Sequence, residues 1–190
     1  MRSVVRELIE TVVLALLIFL VMQFAVQNFK VEGSSMHPTV EAGEYVLVNK
    51  FVYFNITPKD SEVFSFLEVP ELSETIFPVS SPKRGDVIIF RYPKDKSRDF
   101  VKRVIGLPGE NVEIVEGKVF INGLLLKEPY VVQEDDSSMP LRNIGKDKFF
   151  VLGDNRRASN DSRDWGDVST DDVIGKGWLR YWPIDRMKPL

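Results

Sequence analysis

The sequence predicts a mainly β protein, an antiparallel sheet or barrel-like domain behind one N-terminal transmembrane helix. Two observations carry this. Residues 8–26, LIETVVLALLIFLVMQFAV, form one apolar run in which only Glu10, Thr11 and Gln23 are polar. From Phe29 onward helical periodicity fades, and short β-branched or aromatic runs alternate with turn-forming clusters.

The apolar run comes first. About 19 residues at 1.5 Å each give roughly 28 Å of helix, close to the hydrocarbon thickness of a bilayer. Arg2 and Arg6 precede the run, and few cations follow it closely. That bias favours an N-terminus inside and the remainder outside. A cleaved signal peptide has a similar pattern, but Ala25-Val26-Gln27 is a poor small-x-small cleavage site. The expectation is a retained anchor over residues 1–28, followed by a β domain over residues 29–190. Strands are expected at 45–48, 86–90, 101–105, 112–115, 119–121 and 149–152, and a structured stretch at 173–181. Glu41-Ala42-Gly43-Glu44, Lys83-Arg84-Gly85-Asp86, Pro108-Gly109, Glu116-Gly117 and Asn122-Gly123 supply the turns. Residues 113–126 read as one or two hairpins. Residues 55–82, with Pro58, Pro70, Pro78 and Pro82, read as a long excursion from the domain.

Composition narrows the chemistry. The chain has 190 residues, a formal net charge of −3, one histidine and no cysteine. The acidic balance argues against a nucleic-acid partner. Without cysteine there are no disulfides and no thiolate metal sites, and no His-Glu-x-x-His pattern is present. No metal and no cofactor is expected. With one histidine, most histidine-based hydrolytic schemes are thin. A lysine kept neutral by an apolar environment can replace histidine as the base for a serine.

Two segments fit that alternative. Ser35 lies in Gly-Ser-Ser-Met-His-Pro-Thr at 33–39. In an extended chain Phe29, Val31, Gly33 and Ser35 share one face, so an apolar strip leads to a hydroxyl. A plain turn beside a proline is the competing reading. Lys102 sits in the apolar run Phe100-Val101-Lys102-Arg103-Val104-Ile105. A solvated edge lysine is the bland interpretation. Pointed inward, the same lysine would lose its proton more readily. A third block, residues 153–166, mixes turn formers with alternating charge. Its arginines argue against a calcium loop, and a polar loop supporting the site fits better.

These blocks together resemble the bacterial type I signal peptidases, the membrane-bound serine–lysine endopeptidases that remove signal peptides. The likeness spans nearly the whole chain. It is carried by the anchor, the 33–39 block, Lys-Arg-Gly-Asp-Val at 83–87, Lys-Arg-Val-Ile-Gly-Leu-Pro-Gly-Glu at 102–110, and the 153–163 block. The resemblance implies a mostly antiparallel β catalytic domain that binds substrate as an added strand. It implies Ser35 as nucleophile, Lys102 as general base, and Ser159 as the residue that orients the lysine through a hydrogen bond. Arg103 with Asp154, and Asp161 with Arg163, are implied as supporting ion pairs. Phe29, Val31, Phe100 and Val101 are implied to line pockets for small side chains at the first and third residues before the cut. Some members carry a serine where Gly33 stands, and its hydroxyl helps bind the oxyanion. Here the Ser35 backbone N–H is the expected donor. The implied partners are signal peptides of exported preproteins, the lipid bilayer and a neighbouring secretion translocon. The implied location is the bacterial cytoplasmic membrane, with the catalytic domain on its outer face.

Two rivals remain at this point. A self-cleaving repressor shares the chemistry, but would carry a soluble DNA-binding module in place of the apolar run. A non-enzymatic anchored β module would not need Ser35, Lys102 and Ser159 together.

Overall fold

A computed structural model describes residues 2–53, 80–133 and 135–190. The excursion expected at 55–82 lies almost wholly outside these residues. Helix α1 (Arg2–Ala25) begins six residues before the apolar run and ends one residue inside it. Its described side chains up to Phe24 are all exposed. An apolar helix that packs against nothing else among the described residues is read as a membrane element, because lipid is the solvent that would cover it. The span Val4–Ala25 is long and apolar enough to cross a bilayer.

The chain passes from α1 directly into strand β1 (Val26–Lys30), with no linker. The remaining strands are β2 (Tyr45–Asn49), β3 (Val87–Tyr92), β4 (Asp95–Gly106), β5 (Asn111–Val115), β6 (Lys118–Ile121), β7 (Leu124–Leu125), β8 (Met139–Asn143), β9 (Lys148–Leu152), β10 (Val168–Ser169), β11 (Val173–Trp182) and β12 (Lys188–Pro189). A single-turn helix α2 (Ser162–Trp165) follows the 153–161 loop. The large sheet runs β1-β2-β11-β3-β4-β9-β10, with β12 paired to β11. The small sheet runs β7-β6-β5-β8. Every ladder among the described residues is antiparallel.

Strand alternation explains the layers. Val46, Val48, Val87 and Ile89 on one face of the large sheet are covered by Val31, Met36 and Val40. Ile88, Phe90, Val104, Phe149, Val151 and Val168 pack on the other face. Strands β3 and β9 are therefore buried on both sides, which is why they read as unbroken apolar runs. A third cluster, with Ile105, Val112, Ile114, Val119, Ile121 and Phe150, fills the space under the small sheet. Hairpin β5-β6-β7 turns at Glu116-Gly117 and Asn122-Gly123. Both residues of each turn have positive φ, the backbone that two-residue hairpins require.

Candidate active site

Strand β4 positions the lysine. Its inner edge pairs with β3 along most of its length, but on its outer edge β9 joins only from Arg103 onward. Among the described residues, the stretch before Arg103 therefore has an open outer edge. Opposite lies the segment that continues β1. Val31 N–H donates to Glu44 O at 2.8 Å, and Gly43 N–H donates to Val31 O at 2.8 Å, which holds this segment on the sheet. Between the two walls is a cleft of about 470 Å³, lined by residues 29–35 on one side and 98–102 on the other. Phe29, Val31, Phe100 and Val101 all line it. Val31 is buried, and Phe29 and Val101 pack against the same cluster, so the cleft wall is continuous with the core.

Ser35 and Lys102 meet in this cleft. They are 67 residues apart in sequence, and Lys102 Nζ lies 2.8 Å from Ser35 Oγ. The amine also donates to Val101 O at 3.0 Å. Lys102 is only 4% exposed. Burial pushes its pKa down from 10.5 to about 8, while the carboxylates of Asp161 and Asp154 pull the other way. The inward-facing lysine is the arrangement formed, not the solvated edge lysine. When neutral, its lone pair can accept the Ser35 proton along the line that now joins the two atoms.

Both expected ion pairs form, and both are bidentate. Arg103 Nε and Nη2 contact Asp154 Oδ1 and Oδ2 at 2.8 and 2.7 Å. Arg163 Nε and Nη2 contact Asp161 Oδ1 and Oδ2 at 2.8 and 2.9 Å. Asp154 and Asp161 are completely buried, so each carboxylate depends on its arginine. Asp161 also caps α2, accepting from Arg163 N, and accepts from Gly153 N at 3.1 Å.

Ser159 departs from expectation. Its Oγ is buried and has no hydrogen-bond partner among the described residues, and Lys102 makes its second bond to Val101 O instead. The hydroxyl packs over Gly153. A Cβ added at Gly153 would fall 2.3 Å from Ser159 Oγ and 2.5 Å from Ser35 O, so these two oxygens flank one narrow gap. Gly33 has φ +87 and an exposed position on the cleft wall, and has no side chain to donate.

Several contributors escaped the sequence reading. Thr39 Oγ1 donates to Asp154 Oδ2 at 2.5 Å and accepts from Arg103 Nη2 at 3.1 Å, tying the serine segment to the ion pair. Arg156 is buried and pairs with Glu128 at 2.5 Å. Asp135 joins Arg163 from the small-sheet side. Thr39 and Arg156 lie inside blocks already singled out, so their location was a usable signal. Nothing local marks Glu128 or Asp135.

Comparisons with known proteins show the family. A family model described as "Signal peptidase, peptidase S26" matches residues 5–182. Signal peptidase I of Pseudomonas aeruginosa is 32% identical over 215 residues, covering 92% of this chain and 72% of that protein. Signal peptidase I of Leptolyngbya laminosa is 33% identical over 198 residues, covering 99% and 85%. Signal peptidase IB of Staphylococcus aureus is 30% identical over 205 residues, covering 98% and 94%. A crystal structure of a signal peptidase I from Enterococcus faecalis aligns with a TM-score of 0.47 at 32% identity, over 51% of this chain and 97% of that one. The class is thus a serine peptidase on a membrane-anchored β domain. The chain belongs to the signal peptidase, peptidase S26, family.

Proposed function

We propose that this protein cleaves signal peptides from exported preproteins, with Ser35 as nucleophile and Lys102 as general base. The observation that carries the reading is the 2.8 Å contact between Ser35 Oγ and a buried lysine amine beside an open strand edge. Substrate adds as an extended strand along the outer edge of β4, where main-chain hydrogen bonds hold it in register. Phe29, Val31, Phe100 and Val101 then face its side chains. Neutral Lys102 takes the Ser35 proton as Oγ attacks the scissile carbonyl carbon. The carbonyl oxygen becomes an oxyanion facing Ser35 N–H. The amine returns that proton to the leaving nitrogen, the peptide C–N bond breaks, and a seryl ester remains. Lys102 then takes a proton from a water that attacks the ester carbon, the bond to Ser35 Oγ breaks, and the amine returns that proton to Ser35 Oγ.

Ser159 takes part in this scheme by turning its unpartnered hydroxyl to the amine once substrate closes the cleft. A buried hydroxyl with no partner costs about 1–3 kcal/mol, which favours such a turn. Arg103 with Asp154, and Asp161 with Arg163, hold the loop that carries Ser159. Residues 1–28 act as the anchor and 29–190 as the catalytic domain. With Arg2 and Arg6 ahead of the apolar run at 8–26, the N-terminus stays on the cytoplasmic side of the bacterial cytoplasmic membrane. The domain then works on the outer face, near the translocon that delivers its substrates.

The test is cleavage of a preprotein by the full chain in detergent micelles. Ser35→Ala and Lys102→Met are each expected to abolish product, and the double variant to be no worse than either single. Retained cleavage in either single variant would overturn the assignment. External protease added to spheroplasts should digest the domain, and a protected C-terminus would refute the orientation.

A further inference from the structure

With glycine at position 33, the oxyanion of the proposed reaction relies on Ser35 N–H, and the direction of that bond becomes decisive. Ser35 N–H belongs to the peptide that joins it to Ser34, which is trans. In a trans peptide the carbonyl oxygen and the amide hydrogen point in opposite directions. Whatever fixes Ser34 C=O therefore aims Ser35 N–H. Ser34 O accepts two hydrogen bonds, from His37 N at 3.1 Å and from Asn155 Nδ2 at 3.3 Å. The next carbonyl, Ser35 O, accepts from Asn155 N at 3.0 Å. One residue, distant in sequence, thus grips both carbonyls that flank the nucleophile's backbone. Among the described residues Ser35 N–H has no acceptor, although Ser34 and Ser35 both line the cleft.

Two further features fit this role. Gly153 lets the loop approach closely, since a Cβ there would fall 2.5 Å from Ser35 O. Asn155 Oδ1 is buried without a partner, so the side chain is used for its donor end. An aspartate in the same place would set a carboxylate oxygen against Ser34 O.

We propose that Asn155 is a positioning residue for the oxyanion hole: by holding Ser34 O and Ser35 O together, it keeps Ser35 N–H aimed into the cleft. The proposal rests on the reading of Ser35 as nucleophile. Removing one aligned oxyanion donor outright costs about 10²–10³-fold in kcat. Loosening the donor while leaving it present should cost less, about 10–100-fold.

The experiment compares the full chain with its Asn155→Ala and Asn155→Asp variants in detergent micelles. Four quantities are read: kcat and KM for a short peptide, inhibition by a peptide aldehyde with alanine at the first and third positions, and binding of an uncleavable peptide with proline after the scissile bond. The aldehyde reports the oxyanion hole directly. Ser35 Oγ bonds to its carbonyl carbon, the serine proton passes to Lys102, and the former carbonyl oxygen takes up negative charge beside Ser35 N–H. Both variants should lose about 10–100-fold in kcat, with Asn155→Asp the worse, and aldehyde affinity should fall by the same factor. KM and uncleavable-peptide affinity should stay unchanged in both variants, and the pH of the acidic limb should stay unchanged in Asn155→Ala, which adds no charge. Equal losses in aldehyde and uncleavable-peptide affinity would overturn the proposal, since the residue would then be merely structural. Unchanged kcat would also overturn it. Ser35→Ala assayed alongside separates the two levels: if it cleaves, the nucleophile assignment fails; if it is inactive while Asn155→Ala matches wild type, only the positioning role fails.

Discussion

Lys102 must be neutral to accept the Ser35 proton, so the pH profile of kcat/KM reads its environment. Burial takes its pKa from 10.5 to about 8. At pH 7 an amine with that pKa is about 9% neutral, whereas an ordinary lysine is roughly 0.03% neutral. Burial thus multiplies the competent form by about 300-fold at pH 7. The sign follows directly: activity should rise about tenfold per pH unit below about pH 7, bend near pH 8, and level off above about pH 9. The assay is kcat/KM for a fluorogenic peptide between pH 5 and 10, with the domain's fold followed by circular dichroism at each pH. Asp161 and Asp154 raise the lysine pKa against the burial effect. Asp161→Asn keeps an N-cap side chain for α2 and removes a negative charge. The bend should therefore move to lower pH in that variant. A limb that stays flat down to about pH 5, or one that moves to higher pH in Asp161→Asn, would refute the reasoning.

Four other outcomes are expected. His37→Ala should retain most turnover, because His37 Nδ1 faces Glu41 at 3.4 Å and Lys102 already holds Ser35; a loss of about 10²–10⁴-fold in kcat/KM would make histidine the base. Lys102→Met should raise the domain's melting temperature at neutral pH. Burial holds the folded-state pKa below the unfolded one, so stability climbs with pH between about 8 and 10.5, and below about 8 a penalty of roughly 3 kcal/mol is fully present. A lower melting temperature than wild type at pH 7 in calorimetry would contradict this. Asp154→Ala should cost about 3–5 kcal/mol in chemical denaturation, because it strands the nearly buried Arg103; a loss under about 1 kcal/mol would mean that solvent reaches the arginine. A peptide library should be cut after small residues at the first and third positions, since overfilling a packed wall is destabilising. Equal cleavage with Phe or Leu there would refute the pocket assignment.

The sequence alone settled the elements whose cause is local. The anchor follows from an apolar run broken only by Glu10, Thr11 and Gln23, which water would not satisfy. The strands at 45–48, 86–90, 112–115, 119–121 and 149–152 follow from β-branched and aromatic residues between turn formers, and the observed strands differ by only one or two residues at each end. The hairpin turns at 116–117 and 122–123 follow from residues that accept positive φ. Less regular strands were not legible. Strand β8 contains Pro140 and exposed Leu141 and Asn143, and β7, β10 and β12 are two residues each, so their existence depends on the partner strand. The placement of β11 between β2 and β3 is likewise a matter of long-range pairing that no local pattern records.

At the site, the motifs named Ser35 and Lys102, but a motif does not say which way a side chain points. In β4 both Lys102 and Arg103 are buried, on opposite faces, because the sheet is covered on both sides there. The lysine's burial, its lowered pKa and its 2.8 Å approach to Ser35 depend on that packing. So do the unpartnered hydroxyl of Ser159 and the double grip of Asn155 on the serine backbone. Hydrogen bonds between residues far apart in sequence carry no local signature. Residue type is a property of the chain, whereas desolvation and distance exist only once the sheet has closed around the pair.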